Sequence, residues 1–124
     1  MSILTDAKEK WTGSIGTLTI GATAEEGGTR TSKVTVGGSS TLPFMRFEGV
    51  ATSRPAVAVE IWDTEPDDWP ASLAGVWGNV MKSPADWARK AVEECGADLI
   101  CLKLAGTHPD FGDKTPDEAA AVVK

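Results

Sequence analysis

The chain has few of the residues that build metal centres, with two cysteines, Cys95 and Cys101, and a single histidine, His108, among 124 residues. The cysteines do not form a CxxC pair, and they cannot supply the full set of thiolates that an iron–sulfur cluster usually takes. One imidazole without Cys or His neighbours is also a poor basis for a metal site. We therefore expect no metal centre here, and we interpret both cysteines as buried reduced thiols, one on a helix and one on a strand.

Basic side chains are in the minority, with 12 lysines and arginines against 18 acidic residues and a net charge of -6. This negative charge would repel phosphate backbones and anionic membrane surfaces, which argues against nucleic-acid binding. The sequence has no N-terminal signal pattern and no apolar run approaching the roughly 20 residues that cross a bilayer. We therefore expect a cytoplasmic protein without a membrane partner.

Two short segments rich in β-branched residues flank a glycine-containing turn in the N-terminal region, residues 1–52. Ser14–Gly21 and Lys33–Gly37 predict paired strands, and Ala22–Ser32 has a Glu-Glu-Gly-Gly centre suited to a turn. Glycine-rich loops can bind phosphate through backbone N–H groups, but this one lacks the GxxxxGK[ST] and GxGxxG spacings and leads into a strand. We predict a β-hairpin followed by a connection.

Strand and helix signals alternate in the second region, residues 53–124. Pro55–Ile61 is short, largely apolar and rich in β-branched residues, which predicts a strand buried on both faces. Asp98–Ala105 predicts a second apolar strand. The order strand, helix, strand, helix is typical of parallel strands joined by right-handed crossovers.

The two helices of this region are marked by their capping residues. Ser83 can cap a helix with Pro84 at its first position, and Gly96 can end it. Thr115-Pro116-Asp117-Glu118 repeats the capping pattern before the helical run Ala119–Lys124. The first helix has one face suited to burial, made of Trp87, Ala88, Ala91, Val92 and Cys95.

This α/β order after a hairpin predicts the first two β/α units of a TIM (β/α)8 barrel. A complete barrel takes about 250 residues, and the last helix reaches Lys124 without a C-terminal signal. We interpret the chain as the opening part of a larger barrel, or as a short chain completed by a partner or by self-association. On its own it should leave unpaired strand edges and exposed apolar area.

The working face of such a barrel lies at the carboxyl ends of its strands, where Glu60–Glu65 and Lys103–Asp110 qualify. The candidate binding residues on this face are Glu60, Trp62, Asp63, Lys103, Thr107 and His108. Buried charges need partners, so we expect Glu60 and Lys103 to approach each other, as a structural ion pair, in a polar layer of the barrel, or around a ligand. Trp62 can cover a flat ring or pack in the core, and His108 is either a loop residue or a catalytic one.

Short motifs spread over nearly the whole chain resemble a known family. In order they are Gly27-Gly28-Thr29-Arg30, Val36-Gly37-Gly38, Leu42-Pro43-Phe44, Phe47-Glu48-Gly49, Arg54-Pro55, Glu60, Asp67-Asp68-Trp69-Pro70, Trp87-Ala88, Gly96-Ala97-Asp98-Leu99-Ile100 and Gly106-Thr107-His108-Pro109. Each motif is weak alone, but their order and spacing are specific as a set. Together they resemble the N-terminal part of the small, or delta, subunit of the corrinoid iron–sulfur protein of the acetyl-CoA decarbonylase/synthase complex.

The resemblance implies a part in one-carbon metabolism and carbon fixation. In this family a heterodimer carries a methyl group from a methylated tetrahydropterin to acetyl-CoA synthase in the anaerobic acetyl-CoA (Wood–Ljungdahl) pathway. The small subunit is a (β/α) barrel, and the large (gamma) subunit holds the iron–sulfur cluster and the corrinoid domain. The expected partners are therefore the large subunit and, transiently, acetyl-CoA synthase and the methyltransferase.

The resemblance also implies a corrinoid (cobalamin) at the interface between the subunits, which makes the six candidate residues possible cofactor contacts. The DxHxxG pattern by which many corrinoid proteins supply a histidine to cobalt is absent, so no cobalt ligation is expected from this chain. No catalytic residue is transferred, and independent catalysis is not expected. Two alternatives stay open: a pterin-binding TIM-barrel methyltransferase whose carboxylates bind the pterin ring, and a barrel fragment without a function of its own.

Overall fold

The computed structural model describes residues 12–41, 50 and 54–124, which form two compact units divided between Ala56 and Val57. Each unit is described by itself. The motifs Leu42-Pro43-Phe44 and Phe47-Glu48-Gly49 lie outside the described residues. The division into domains 1–52 and 53–124 stays a prediction.

The first unit contains the predicted β-hairpin. Strand β1 (Leu18–Ile20) pairs antiparallel with β2 (Val34–Val36), with Leu18 opposite Val36 and Ile20 opposite Val34. Both strands are shorter than predicted. The hydroxyl groups of Thr19 and Thr35 lie 3.0 Å apart across the pair, as expected for residues directly opposite each other.

The glycine-containing segment between these strands forms a turn, as predicted. A 3₁₀ turn at Ala24–Glu26 folds the Glu26 carboxylate back, where it accepts a 3.1 Å hydrogen bond from the Thr23 N–H. Gly27 follows with φ +80°, a conformation that favours glycine. A Cβ on Gly28 would lie 2.1 Å from the Ala22 carbonyl oxygen, so a side chain does not fit there. The motif Gly27-Gly28-Thr29-Arg30 therefore shapes the turn.

The second unit is built on a parallel strand pair. Strand β3 (Ala58–Trp62) pairs with β4 (Leu99–Lys103), with Ala58 opposite Leu99 and Trp62 opposite Lys103. Helices α1 (Ala71–Trp77) and α2 (Pro84–Glu93) lie between these strands in the sequence, and α3 (Pro116–Val123) follows β4 after 3₁₀ turns at Ala105–Thr107 and Pro109–Phe111. The predicted α/β class is confirmed, with one more helix between the strands than the predicted order contained. Within the described ranges both sheets have two strands, so the barrel stays a prediction.

Helix α1 was not predicted from the sequence. It is short and contains Gly75, which weakens a helical pattern. Its C-terminal end is held by Lys90 of α2, whose ammonium group donates to the Val76 carbonyl at 2.6 Å and to Asn79 Oδ1 at 3.1 Å. A cation at a helix C-terminus is favoured by the helix dipole. Because Lys90 is distant in sequence from Val76 and Asn79, no local pattern predicts this contact.

The other two helices begin where their capping residues predict. The Ser83 hydroxyl accepts the Asp86 N–H at 3.3 Å. The Glu118 carboxylate accepts the Thr115 N–H at 2.8 Å, and the Thr115 hydroxyl accepts the Glu118 N–H at 3.4 Å. The first of these helices ends at Glu93, earlier than the predicted stop at Gly96, and Gly96, with φ +68°, lies in the turn that follows.

The core lies between α2 and one face of the parallel pair. Ile61, Met81 and Trp87 are buried, and the rings of Trp69 and Trp77 pack on Trp87 with centroids 5.4 and 6.3 Å from it. Packing therefore accounts for these three tryptophans. The predicted apolar face of α2 is narrower than expected, because Trp87 and Ala91 are buried whereas Val92 is 47% exposed.

The prediction that the strands are buried on both faces is wrong for this chain. Helix α2 packs against the face that carries Val59, Ile61, Ile100 and Leu102. Exposed side chains on the strands include Ala58, Glu60, Cys101 and Lys103. The predicted burial of the cysteines fails for the same reason at Cys101, while Cys95 is exposed in the turn beyond α2; both are free thiols.

Candidate functional site

The carboxyl ends of β3 and β4 lie side by side, and a cleft opens at this edge. The Asp63 N–H donates to the Lys103 carbonyl at 3.1 Å, which extends the pairing of the strands by one bond. The cleft has a volume of about 330 Å³ and lies between the loops that follow the two strands. It is lined by Trp62, Thr64, Glu65, Pro66, Asp67, Asp68, Asp110 and Phe111. Its walls are therefore acidic and aromatic.

The Asp63 side chain lies beneath this edge, and its exposed fraction is 0%. Its Oδ1 accepts the Gly106 N–H at 2.8 Å, and its Oδ2 accepts the Lys114 ammonium group at 2.9 Å. The same ammonium group donates to the Asp63 carbonyl at 2.6 Å. Asp63 therefore joins the end of β3 to the loop after β4.

Opposing effects act on the pKa of Asp63. Burial raises the pKa of Asp63. The hydrogen bond from Gly106 and the bond and charge of Lys114 together lower it by more than burial raises it, so the pKa lies below its ordinary value. The carboxylate is therefore ionised at neutral pH. An ionised buried carboxylate requires these partners, because burial of an unpaired charge is costly.

Gly106 is the position at which the loop passes closest to this ion pair. A Cβ there would lie 2.8 Å from Asp63 Oδ2 and 2.8 Å from Cδ and Cε of Lys114. The Gly106 carbonyl also accepts the Lys114 N–H at 2.8 Å. This close approach gives a physical reason for glycine in the motif Gly106-Thr107-His108-Pro109.

Glu60 and Lys103 converge on the indole of Trp62. The Trp62 Nε1–H donates to Glu60 at 2.8 Å, and the Lys103 ammonium group lies 3.8 Å from the centroid of the Trp62 ring. Among the described residues no ion pair joins Glu60 to Lys103, so of the arrangements left open the direct ion pair is not formed. The tryptophan instead donates a hydrogen bond from its edge to the Glu60 carboxylate and accepts a cation–π contact from Lys103 on its face.

Thr107 and His108 lie on the loop held by Gly106, and both side chains are exposed. The Thr107 hydroxyl donates to the Leu104 carbonyl at 2.8 Å. His108 Nδ1 accepts the Asp110 N–H at 3.2 Å, and the imidazole centroid lies 5.7 Å from that of Phe111. These contacts are local and shape the loop.

The six candidate residues thus fall into three groups. Glu60 and Lys103 contact Trp62, Asp63 is bonded to the loop after β4, and Thr107 and His108 lie on that loop. Their binding roles stay predictions. Sequence reasoning missed Lys114, which meets Asp63 across 51 positions and belongs to no motif, and it missed the acidic lining of the cleft. The signal for that lining was the motif Asp67-Asp68-Trp69-Pro70.

Two further features bear on the class of site. No group of three or more His, Cys, Asp or Glu side chains in the described part of the chain could hold a metal ion. None of the helices in that part is long and apolar enough to cross a membrane. The chain is a mixed α/β protein with polar loops at the carboxyl ends of its parallel strands β3 and β4. Loops in this position often carry binding or catalytic residues.

The chain belongs to the CO dehydrogenase/acetyl-CoA synthase delta subunit family, whose model matches residues 18–124. It is 37% identical over 117 residues to the acetyl-CoA decarbonylase/synthase complex subunit delta of Archaeoglobus fulgidus, covering 94% of this chain and 26% of that protein. It is 41% identical over 93 residues to the subunit delta of Methanothermobacter thermautotrophicus, covering 75% of this chain and 23% of that protein. The resemblance to the delta subunit is confirmed, and the chain spans about a quarter of the length of these relatives.

Proposed function

We propose that this chain is part of a subunit that helps carry a methyl group from a methyltetrahydropterin to acetyl-CoA synthase. The family match over residues 18–124 is the observation that carries the proposal. The relatives are named as subunits of a complex, which favours a role by association with other chains. The proposed stable partner is a large (gamma) subunit that bears a corrinoid and an iron–sulfur cluster, with acetyl-CoA synthase and a methyltransferase as transient partners.

In this proposal β3 and β4 open a (β/α) barrel within a domain that begins at residue 53. Two observations support it. The strands are parallel and joined through helices, the arrangement from which such barrels are built. The strand face that carries Glu60, Cys101 and Lys103 is exposed, as expected for a barrel interior that this chain does not complete.

The residues at the strand ends fit the edge of a corrinoid, whose ring is flat and whose side chains end in amides. Trp62 offers a partly buried aromatic surface, and Lys103, Thr107 and His108 offer exposed polar groups that can bond to amides. Asp63 would act on this contact through the loop, because its oxygens already accept hydrogen bonds. When bound, the corrinoid supplies the methyl-transfer chemistry.

The chain's own contribution would be to bind and enclose the cofactor. Excluding water from a reactive centre prevents side reactions and strengthens nearby electrostatic interactions. Loops at the strand ends are suited to this task because they can cover a ligand while the sheet stays fixed. No catalytic residue is assigned to the chain in this role.

One observation favours the alternative of a pterin-binding barrel methyltransferase. The cleft of about 330 Å³ places carboxylates beside the aromatic rings of Trp62 and Phe111. Carboxylates can accept hydrogen bonds from the amino and ring N–H groups of a pterin. This alternative predicts that the chain binds a tetrahydropterin without any corrinoid partner.

Co-elution of the chain with a purified corrinoid-bearing large subunit tests the proposal. We expect a heteromeric peak by light scattering that carries corrin absorbance. Lys103→Ala should weaken this peak, while the matched change Lys33→Ala in the hairpin should leave it unchanged. Separate elution of the wild-type chain would contradict the proposed role for this stretch, and tetrahydropterin binding by the chain alone would favour the alternative.

A further inference from the structure

The loop between β4 and α3 forms one wall of the cleft; it buries Ala105 at its start, and its tip is exposed. Its outward residues His108, Asp110 and Phe111 are exposed, Phe111 by 58%. The bonds from Thr107 to Leu104 and from Asp110 to His108 span two or three positions. Such bonds shape a loop without fixing where it lies relative to the neighbouring strand.

The position of the loop is instead fixed through Asp63. Among the described residues, the hydrogen bonds that tie this loop to the end of β3 all end on Asp63, from Gly106 and from Lys114. The Lys114 N–H closes the arrangement by donating to the Gly106 carbonyl. Asp63 itself is fixed by its N–H bond to Lys103 at the end of the sheet.

We propose that Asp63 is a positioning residue, which sets the place of Asp110 and Phe111 opposite Trp62 across the cleft through its bond to the Gly106 N–H. Asp63 touches no ligand and acts through the backbone of the loop, while Lys114 pairs with its buried carboxylate. The proposal rests on the proposed function in one respect: the binding that depends on this geometry is binding of the corrinoid-bearing large subunit. The mechanism within the chain, from Asp63 to Gly106 to the loop, is independent of that partner.

Two double variants separate the effect of the hydrogen bond to Gly106 from the effect of the charges on Asp63 and Lys114. Asp63→Asn with Lys114→Met removes both charges but keeps an amide oxygen for the Gly106 N–H. Asp63→Ala with Lys114→Met also removes this acceptor. Asp86→Asn with Arg89→Met is the matched control, because it removes an exposed ion pair of the same charges on α2.

The primary readout is amide hydrogen exchange at Gly106 relative to Ile61 in the core. In the alanine double variant we expect the protection of Gly106 relative to Ile61 to fall about tenfold, which is the effect of losing one hydrogen bond. In the asparagine double variant this ratio of protection should stay within about threefold of wild type. Affinity for the purified corrinoid-bearing large subunit should fall in the alanine double variant and be retained in the asparagine double variant and the control. A purely structural role would lower protection at Ile61 and Gly106 together and leave their ratio unchanged.

The wild-type chain provides a test that does not depend on the folding of any variant. The Gly106 amide should exchange more slowly than the Asp110 amide, which is bonded to an exposed imidazole. Equal exchange at the two amides would overturn the proposal, as would unchanged affinity in a folded alanine double variant with a released Gly106. Failure of the wild-type chain to bind the large subunit would overturn the proposed function, and Gly106 exchange would still decide the positioning within the chain.

Discussion

The two units of the molecule each hold a carboxylate with a lysine, and the two pairs differ in burial. In the hairpin, the side chains of Glu26 and Lys33 are 45% and 41% exposed. In the α/β unit, Asp63 is 0% and Lys114 26% exposed. Exposed pairs contribute little to stability because water screens them and the side chains lose freedom. Loss of one partner from a buried pair leaves an uncompensated charge, so we expect only the second pair to determine local structure.

The pairs also differ in the distance along the chain that they bridge. Glu26 is bonded to Thr23 and Lys33, three and seven positions away. Asp63 is bonded to Gly106 and Lys114, 43 and 51 positions away. A turn held by near neighbours can form alone, whereas the loop after β4 takes its place only when the strand pair is formed.

The largest effect is expected from Lys114→Met, which leaves the Asp63 carboxylate buried without its cation. The free energy of unfolding should fall by about 3 kcal/mol, the typical cost of breaking a buried pair. Urea unfolding monitored by tryptophan fluorescence measures this change. A loss no larger than that caused by Lys33→Met would remove the distinction between the two pairs.

Gly106→Ala should have the next largest effect, because its Cβ would lie 2.8 Å from Asp63 Oδ2 and from the Lys114 side chain. We expect a loss of about 1–3 kcal/mol, as for other crowded substitutions. Gly75→Ala in α1 is the matched control, since nothing lies within 4 Å of its added Cβ. It should stabilise the helix by up to about 1 kcal/mol. Equal urea midpoints for the two variants would contradict the crowding at Gly106.

The acid dependence of stability should distinguish the pairs further. The folded pKa of Asp63 lies below its ordinary value of 3.8, so the unfolded chain binds the proton more readily. The contribution of the carboxylate is therefore complete above pH 3.8 and is lost as the pH falls through the lowered folded pKa. Below pH 3.8, the urea midpoint of wild type should fall more steeply than that of Asp63→Asn with Lys114→Met.

The control for this acid dependence is Glu26→Gln. Lys33 lowers the pKa of Glu26, with help from the Thr23 N–H, but this group is exposed and its interactions are screened. Glu26→Gln should therefore change the acid slope less than the double variant does. The opposite order would show that the hairpin pair carries more of the acid-linked stability.

The smallest effect is expected from Lys33→Met in the hairpin. Its partner Glu26 still accepts the hydrogen bond from the Thr23 N–H, and the side chains of Lys33 and Glu26 are both exposed. The thermal midpoint should stay within experimental error of wild type, and salt should not widen the difference. A clear loss that disappears at high salt would show that the exposed pair holds the turn.

Local signals predicted much of the fold. The N-caps Ser83 and Thr115 act on near neighbours, so the starts of these helices could be inferred from the sequence. The hairpin followed from β-branched strands around a glycine turn. Helix α1 was missed because its C-terminal end depends on Lys90, which comes from another helix.

Long-range packing set the limits of prediction at the candidate site. Trp62 and Lys103 were expected at the ends of the strands, and they meet there. The choice of Lys114 as the partner of Asp63 could not be inferred, because no local pattern links them. Cys101 was placed wrongly because the pattern of a buried strand does not reveal whether both faces of the strand are covered.

Hydrogen exchange of the chain with and without a corrinoid-bearing large subunit tests the central claim most directly, namely that the loops at the strand ends, and not the hairpin, form the working region. We expect binding to slow exchange in residues 60–68 and 103–111, while residues 18–36 stay unchanged. Protection confined to the hairpin, or the absence of any change when the large subunit is in excess, would contradict this account.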